Sequence, residues 1–479
     1  MRKHNIFRYL WLAICPIAIL SSCTKFADSY YEDPNRPSKA SGTQLIANAQ
    51  MYLSSVSSSA YGVHYPQYLS LTTYTDNTRF IATNLNFSTW YIGPLMNLES
   101  VLQNEKELNA NEGPVANQIA VAKILKAFFL WHVTDRWGDI PMSEAFKGID
   151  LPNPKYDRQE DIYNALFILL DEANNSVVSA NGNIKNDIIY KGNMAQWKKL
   201  GNSIHMLMAL RLSKVNPEKG KAEFIKAMNA GIMTSNNDNL SYPHLAEAAN
   251  ENFWYNSFTV QKRNWYALSE VLVNHMLPYN DPRLSVYGDK NSSGSYAGLE
   301  FGKLVPNPDV DIPKISLFGS TIRKQDSPVH LITYPQLLFA QAEAAKLGWI
   351  SGGDGQAKTF YEDAIKQSIA QWTGGTSNVA TYLANADITY DANKAIEQIA
   401  TQRWIHLFPY GYEGWAEWRR TGFPNLTVAS DINGGQVPRR EGYPTQEASN
   451  NKINYEAAVK AFPYGGTDGL NTRVWWDKP

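Results

Sequence analysis

Hydrophobic residues recur at helical spacing through most of this chain. The clearest example is a stripe at every third or fourth position, formed by Ile119, Ala122, Leu125 and Phe129. Spacing of this kind places apolar side chains on one face of an α-helix. Proline is favoured in the first turn of a helix, and Pro114 stands at that point. The pattern therefore predicts a long amphipathic helix over residues 114–135.

Similar stripes predict ten further helices, so the chain is expected to be mostly α. These cover residues 42–56, 90–108, 157–178, 194–214, 217–230, 265–276, 335–347, 355–372, 394–407 and 455–461. Only a few short strands are expected, at 184–190 and 315–322. Strands and helices do not alternate along the chain, which argues against a parallel sheet.

One pair of predicted helices has the pattern of a tetratricopeptide hairpin. Ala357, Tyr361 and Ala364 follow the small–aromatic–small spacing of the second helix of such a repeat. The small residues let two helices approach closely, and the aromatic ring fills the space between them. The 34-residue period does not recur cleanly, so irregular helical hairpins are predicted rather than a regular solenoid.

Three long connections separate the helices, at residues 141–156, 278–328 and 422–450. Loops longer than about 15 residues are usually functional or disordered. These loops contain aromatic residues such as Tyr296 and Tyr443, which are uncommon in disordered segments. The fold is therefore expected to present a loop-rich face that can bind a ligand.

The N-terminus has the features of an export signal. A basic head (Arg2, Lys3, Arg8) precedes an apolar run of twelve residues and the tetrapeptide Leu-Ser-Ser-Cys ending at Cys23. The apolar run is too short for a membrane span, which needs about 20 residues. Small residues before a cysteine look like a bacterial lipobox, so residues 1–22 are predicted as a lipoprotein signal peptide. Lipidated Cys23 would then begin a tether over residues 23–40, and residues 41–479 would form one domain. An ordinary signal peptide with a chance cysteine is the alternative.

Composition narrows the function further. The 44 basic residues nearly balance the 45 acidic ones, so no basic excess indicates nucleic-acid binding. The only cysteines are Cys15 and Cys23, which excludes cysteine nucleophiles and thiolate metal centres from the mature body. No phosphate-binding loop, zinc-protease motif or serine-hydrolase elbow is present, so no cofactor or metal is predicted. The 27 tyrosines outnumber the 18 phenylalanines, which favours aromatic binding surfaces.

Several ordered motifs are similar to those of one known family. They are Tyr31-Glu-Asp-Pro-Asn-Arg-Pro37, Thr134-Asp-Arg-Trp-Gly-Asp-Ile-Pro141, Asn280-Asp-Pro-Arg-Leu284, Gln402-Arg-Trp-Ile405, Gly411-Tyr-Glu-Gly-Trp415, Trp418-Arg-Arg-Thr-Gly422, Arg439-Arg-Glu-Gly-Tyr-Pro444 and Val474-Trp-Trp-Asp477. Together they resemble the SusD/RagB family, nutrient-binding outer membrane lipoproteins of Bacteroidetes.

This resemblance implies tetratricopeptide-like hairpins on one side of the fold and a loop-rich ligand face on the other. It also implies a SusC-like TonB-dependent transporter as partner and an oligosaccharide or peptide as ligand. The protein would be anchored in the outer membrane by lipid, would face the cell exterior and would not be an enzyme.

Candidate ligand residues combine aromatic rings, which stack on sugars, with polar groups that bond hydroxyls. They form three groups: Tyr74, Asn77, Arg79 and Trp90; Trp254, Tyr255, Arg263 and Trp265; and Tyr296. The resemblance implies that the region of the first group contributes to ligand binding. For each of these residues the alternative is packing beneath a loop.

The charged residues of these motifs are expected to be structural. Asp135 and Asp139 are predicted to cap a helix or to pair with Arg136, and Arg419 and Arg420 to bond carbonyls and carboxylates between helices. Two other functions remain open. A surface glycoside hydrolase would need two carboxylates about 5–10 Å apart across the bond, and a helical-repeat scaffold would bind only protein.

Overall fold

Helices make up most of the protein in the computed structural model, which describes residues 40–81, 84–178, 182–304 and 310–479. The longer helices are α1 (Gly42–Met51), α2 (Met96–Gln103), α3 (Val115–Trp137), α4 (Gln159–Ser176), α5 (Met194–Arg211), α6 (Pro217–Asn229), α7 (Glu270–Met276), α8 (Tyr334–Lys346), α9 (Gly353–Thr373), α10 (Ala395–His406), α11 (Gly411–Thr421) and α12 (Lys452–Lys460). Single-turn helices lie between them at Leu53–Ser57, Ser88–Trp90, Phe253–Tyr255, Leu284–Tyr287, Val379–Leu383 and Glu447–Asn450. The mostly α fold class is thus confirmed. The predicted signal peptide and Cys23 lie outside the described residues.

The described strands are few and short, as predicted, but they are not at the predicted positions. They are β1 (Leu69–Leu71), β2 (Leu240–Tyr242), β3 (Tyr266–Leu268) and β4 (Val329–Ile332), which form the antiparallel pairs β1–β3 and β2–β4. Residues 184–190 form no strand. Within 315–322 only isolated bridges form, at Leu317 and Phe318.

Consecutive helices pack as irregular hairpins: α3 with α4, α5 with α6, α8 with α9 and α10 with α11. In the α8–α9 hairpin, Ala357, Tyr361 and Ala364 are fully buried, as the tetratricopeptide pattern predicts. The Tyr361 hydroxyl donates a hydrogen bond of 2.8 Å to the carbonyl of Ile388, which satisfies its one buried polar atom.

The predicted helix over residues 265–276 was wrong at its N-terminal end. Tyr266–Leu268 is strand β3, in register with β1, and the helix begins only at Glu270. Ser269 ends the strand and caps the helix, because its hydroxyl accepts a hydrogen bond of 3.1 Å from the amide of Leu272. This change of element determines where Trp265 lies.

The motif at the end of α3 turns sharply at Gly138, whose φ of 84° favours glycine. Its charges have different partners from those predicted. Asp135 pairs with Arg211 at 3.2 Å, and Arg136 pairs with Glu441 at 2.8 Å. Asp139 does cap a helix, since its carboxylate accepts a hydrogen bond of 2.8 Å from the first amide of α4.

Several of the motif arginines form buried ion pairs, as predicted. Arg420 holds Glu343 at 2.5 Å and Glu417 at 2.6 Å. Arg419 instead donates a hydrogen bond of 2.8 Å to the carbonyl of Asp135. Burial by itself would raise the pKa of Glu417, but the surrounding arginines hold it well below its usual range. These residues join α3, α8 and α11 in the interior and leave no charge exposed for a ligand.

A candidate ligand-binding surface

The open ends of β1 and β3 bring two aromatic side chains together on the surface. Past the strands, the amide and the hydroxyl of Thr72 donate hydrogen bonds to the carbonyls of Trp265 (2.9 Å) and Asn264 (3.0 Å). The ring of Tyr74 therefore meets that of Trp265 edge to face, with 5.1 Å between centroids and 68° between planes. Tyr74 is 66% exposed and Trp265 is half-buried, so both rings can reach a ligand.

Arg263 covers part of the same surface. Its guanidinium carbon lies 4.6 Å from the centroid of the Trp265 ring, which is cation–π geometry. The backbone is held in place because the amide of Arg263 donates a hydrogen bond of 2.9 Å to the carbonyl of Ser257. We call Tyr74, Arg263 and Trp265 the aromatic platform.

Backbone strain marks both loops that carry the platform. Tyr74 has a φ of 53° and Lys262 a φ of 57°, in the left-handed region that bulky side chains rarely adopt. Such conformations cost about 1–3 kcal/mol each and concentrate at functional sites. The exposed hydroxyl of Tyr74 has no hydrogen-bond partner within the described residues. The strain therefore presents an aromatic ring and a free hydroxyl to solvent.

A small recess is lined by Tyr61, Asn77 and Ile81. Asn77, one of the predicted ligand residues, stands three positions after Tyr74 of the platform. No sequence pattern distinguished Tyr61, because its exposure depends on neighbours from distant loops.

Arg79, a predicted ligand residue, is occupied by contacts within the protein. Its guanidinium forms a 2.7 Å ion pair with Asp431 and donates a 2.7 Å hydrogen bond to the carbonyl of Gly302. Its hydrogen bond to Asp431 lowers the pKa of that carboxyl. The structure thus places Arg79 as a bridge between two loops beside the recess.

Two predicted tryptophans lie in the core. Trp90 is 8% exposed and packs against His132 with 4.8 Å between ring centroids. Trp254 is 2% exposed and packs at 4.6 Å from the ring of Phe318. Neither indole presents a face to solvent, so we do not include them in the ligand surface. The neighbouring Tyr255 is partly exposed, but among the described residues no hydrogen bond or ring contact joins it to the platform.

Tyr296 lies in a separate open cleft of about 420 Å³. Hydrogen-bonding side chains surround the ring there, contributed by Asn280, Ser285, Ser377 and Asn378. None of the platform residues lines this cleft. The three predicted groups therefore do not converge on one site, and only the first two contribute to the same surface.

Sequence reasoning missed a second polar cleft, of about 340 Å³, beside α10. Its lining includes Asp387, Asp391, Lys394 and Glu397. The hydroxyl of Tyr279 donates a hydrogen bond of 3.3 Å to Asp387, and the amide of Asn393 one of 2.8 Å to Asp391. These carboxylates are thus partly satisfied within the protein.

One group in the described chain has the donor atoms of a metal site: Asp171, His205 and Glu223. The ring of His205 lies 2.9 Å from the Glu223 carboxylate. Lys226 already pairs with Asp171 and lies 3.5 Å from Glu223, so a lysine ammonium occupies the cation position. This arrangement is that of a surface ion-pair cluster.

A family comparison covers most of the chain. Residues 34–444 match a SusD-like family model described as starch-binding and associating with the outer membrane. No curated protein sequence matched.

Comparison with solved structures identifies the same fold. A chitin-binding protein is 26% identical with a TM-score of 0.81, over 91% of this chain and 100% of its own. A SusD homologue from Bacteroides fragilis is 27% identical with a TM-score of 0.77, over 92% of this chain and 100% of its own. A chitin-binding SusD homologue from Flavobacterium johnsoniae is 23% identical with a TM-score of 0.72, over 91% and 98%, and supports the fold alone.

Proposed function

We propose a function from the premise that this chain belongs to the SusD-like family, whose model it matches over residues 34–444. It captures oligosaccharides at the outer membrane through the aromatic platform and delivers them to a SusC-like TonB-dependent transporter. The observation that carries this proposal is the edge-to-face contact of the exposed Tyr74, whose φ is positive, with the half-buried Trp265 on a SusD-like fold. Outer membrane association follows the description of the family.

The platform suits a sugar because its parts match the two kinds of sugar surface. A pyranose ring has an apolar face of C–H groups, which an aromatic ring covers, and a rim of hydroxyls. Trp265 and Tyr74 meet at 68°, so one ring can stack on the sugar while the other contacts its edge. The hydroxyl of Tyr74 and the guanidinium of Arg263 supply donors for the rim.

A glycan is favoured over a peptide because the family model is described as starch-binding and a similar solved structure, 26% identical, carries a chitin-binding name. A peptide remains the other ligand class that the family resemblance implies.

Binding without cleavage agrees with the position of the perturbed carboxyl groups. Burial raises the pKa of Asp135, Glu413 and Glu441, and that of Asp139 to about 6, the kind of shift that a general acid uses. The first three are buried inside the arginine network, and Asp139 is buried where it caps α4, so none lies on the platform. Near the platform, Asp431 is already paired with Arg79. This supports a capture protein rather than a glycoside hydrolase.

The anchoring is proposed from the sequence. Residues 1–22 would direct export, Cys23 would carry the lipid, and residues 23–40 would link it to the domain that starts with α1. Acyl chains contribute about 0.8 kcal/mol per buried CH₂, so several chains hold such a domain on the membrane. The domain would face the cell exterior above the transporter. Within the described residues, no helix combines the length and apolar character that a membrane crossing requires.

The test is calorimetry on the protein from Thr24 onward, with a panel of oligosaccharides and peptides and product analysis of every hit. We expect an oligosaccharide to bind without cleavage, and Tyr74→Ala and Trp265→Ala to weaken it. Tyr464→Ala is the control, because Tyr464 is an exposed aromatic residue outside the platform. Cleavage products, or binding that both platform variants leave unchanged, would contradict the proposal. Recovery of a TonB-dependent barrel with the full-length protein from outer membranes would test the partner.

A further inference from the structure

Arg263 differs from every other arginine in the described part of the chain. Each of the others has a guanidinium that donates a hydrogen bond or forms an ion pair within the protein. Arg263 has neither with any described residue, and its guanidinium carbon lies over the ring of Trp265. With respect to the described part of the chain, its N–H donors are therefore available to a ligand.

The free guanidinium is nevertheless held in position. It lies over the Trp265 ring at 4.6 Å, and its backbone amide is bonded to the carbonyl of Ser257. A planar guanidinium stacked on an aromatic ring keeps its N–H edges available for a planar or tetrahedral oxyanion. A ligand that stacks beside Trp265 would therefore meet these donors at little cost in side-chain entropy.

A second cation adjoins Arg263 in the chain. Lys262 precedes it and has no ion pair among the described residues. On the loop that carries Tyr74, Asp76 is an exposed carboxylate, whereas Arg79 pairs with Asp431. The charge of Arg263 reaches the buried phenol of Tyr266, whose pKa it lowers against the effect of burial.

We propose that the oligosaccharide bound at the platform carries an anionic substituent, a carboxylate or a sulfate ester, that pairs with Arg263. This inference rests on the proposed function, because it names the chemical class of the ligand captured there. Arginine binds carboxylates and oxyanions through two parallel N–H donors, which a neutral hydroxyl cannot match. Trp265 would stack on the sugar ring and Arg263 would select the charged substituent.

The experiment uses pairs of ligands that differ only in charge. One pair is an oligogalacturonate and its neutral methyl ester, and the other is a sulfated galactan oligosaccharide and its desulfated form. We expect one charged member to bind the protein from Thr24 onward about tenfold more tightly than its neutral partner, the effect of one charge-assisted hydrogen-bonding pair at a surface. The pair that shows the preference identifies the substituent. The preference should shrink as salt screens the charge.

Variants assign the preference to one residue. Arg263→Gln should remove the preference for the charged ligand. Arg263→Lys should retain only part of that preference, since lysine keeps the positive charge but cannot donate two parallel hydrogen bonds. Lys290→Gln is the matched control, because Lys290 is an exposed cation near another aromatic, 5.9 Å from the centroid of the Tyr296 ring. It should leave the preference unchanged.

The outcomes separate this inference from the proposed function. Equal binding of charged and neutral members, with both weakened by Trp265→Ala, would overturn the inference and leave the capture function standing. A preference that survives Arg263→Gln would also overturn it. If no member of either pair binds in a way that depends on Trp265, the inference fails, and the oligosaccharide panel described above decides whether the capture function stands. Tighter binding of an acidic peptide than of any charged glycan would overturn the ligand class.

Discussion

Trp254 and Trp265 stand eleven positions apart and had equal standing as ligand candidates, but their surroundings predict opposite consequences of mutation. Trp254 is buried between Phe318, at 4.6 Å, and Tyr266, at 5.1 Å. Trp265 is half-buried and contacts Tyr74 and Arg263 at the surface. Replacing each by alanine therefore separates folding from binding.

The expected magnitudes follow from burial. Trp254→Ala removes a large ring from a packed core, and such truncations reduce the free energy of unfolding by about 3–5 kcal/mol. Trp265→Ala leaves no enclosed cavity, so its effect on unfolding should stay near 1 kcal/mol. Its effect on binding should be about 1–3 kcal/mol, the range measured for base–aromatic stacking. That corresponds to about a 5- to 150-fold higher Kd.

Two measurements on each variant are needed. Urea denaturation gives the free energy of unfolding, and calorimetry with the best oligosaccharide gives the affinity at a temperature where both variants are folded. We expect Trp254→Ala to lose stability while keeping most of its affinity, and Trp265→Ala to show the reverse. If Trp265→Ala binds normally, or if it destabilises the fold as much as Trp254→Ala does, the assignment of the platform is refuted.

Three further predictions concern the anchor, the packing and the pH response. Cys23→Ala should leave a folded protein that washes off membranes, and a variant that resists washing would show that the tether lies elsewhere. Gly411→Ala should destabilise the fold, because a Cβ there would lie 2.2 Å from the backbone carbonyl oxygen of Gly62. Gly355→Ala is the control, since the space around Gly355 is open, and it should leave the stability unchanged. Urea denaturation of both variants measures the difference. Burial lowers the pKa of His330 to about 4, so the unfolded chain takes up its proton first as the pH falls. Stability should therefore fall between about pH 6.5 and 4, and His330→Gln should flatten that part of the profile; an unchanged profile would contradict the shift.

Local periodicity was enough to locate most helices. The apolar stripe that ends at Phe129 predicted a helix over residues 114–135, and α3 spans Val115–Trp137. The pattern around Tyr361 predicted a close hairpin, and α8 and α9 form one. These predictions succeeded because an amphipathic helix buries one face. The apolar residues of that face recur within a few turns of the chain, so the pattern can be recognised locally. The helix extends two residues past the prediction, to Arg136 and Trp137, and Arg136 is held there by Glu441, a partner remote in sequence.

Strand β3 shows where local evidence fails. Tyr266–Leu268 continues into an apolar helix and reads as part of it, yet it pairs with β1 nearly two hundred residues earlier. A three-residue strand is stable only through its partner, and no periodicity within it reveals that partner. The platform depends on this pairing, since it brings Trp265 next to Tyr74.

By itself, the sequence determined the helical class, the ordered family motifs and the kinds of side chain available to bind a ligand. Tertiary structure alone decided which aromatics reach solvent, since Trp90 and Trp254 are enclosed while Trp265 is not. It also decided which charges pair with each other and so left the guanidinium of Arg263 without a hydrogen-bonding partner among the described residues. The physical reason is that helical periodicity is a property of neighbouring residues, whereas burial and ion pairing depend on segments that meet only when the chain has folded.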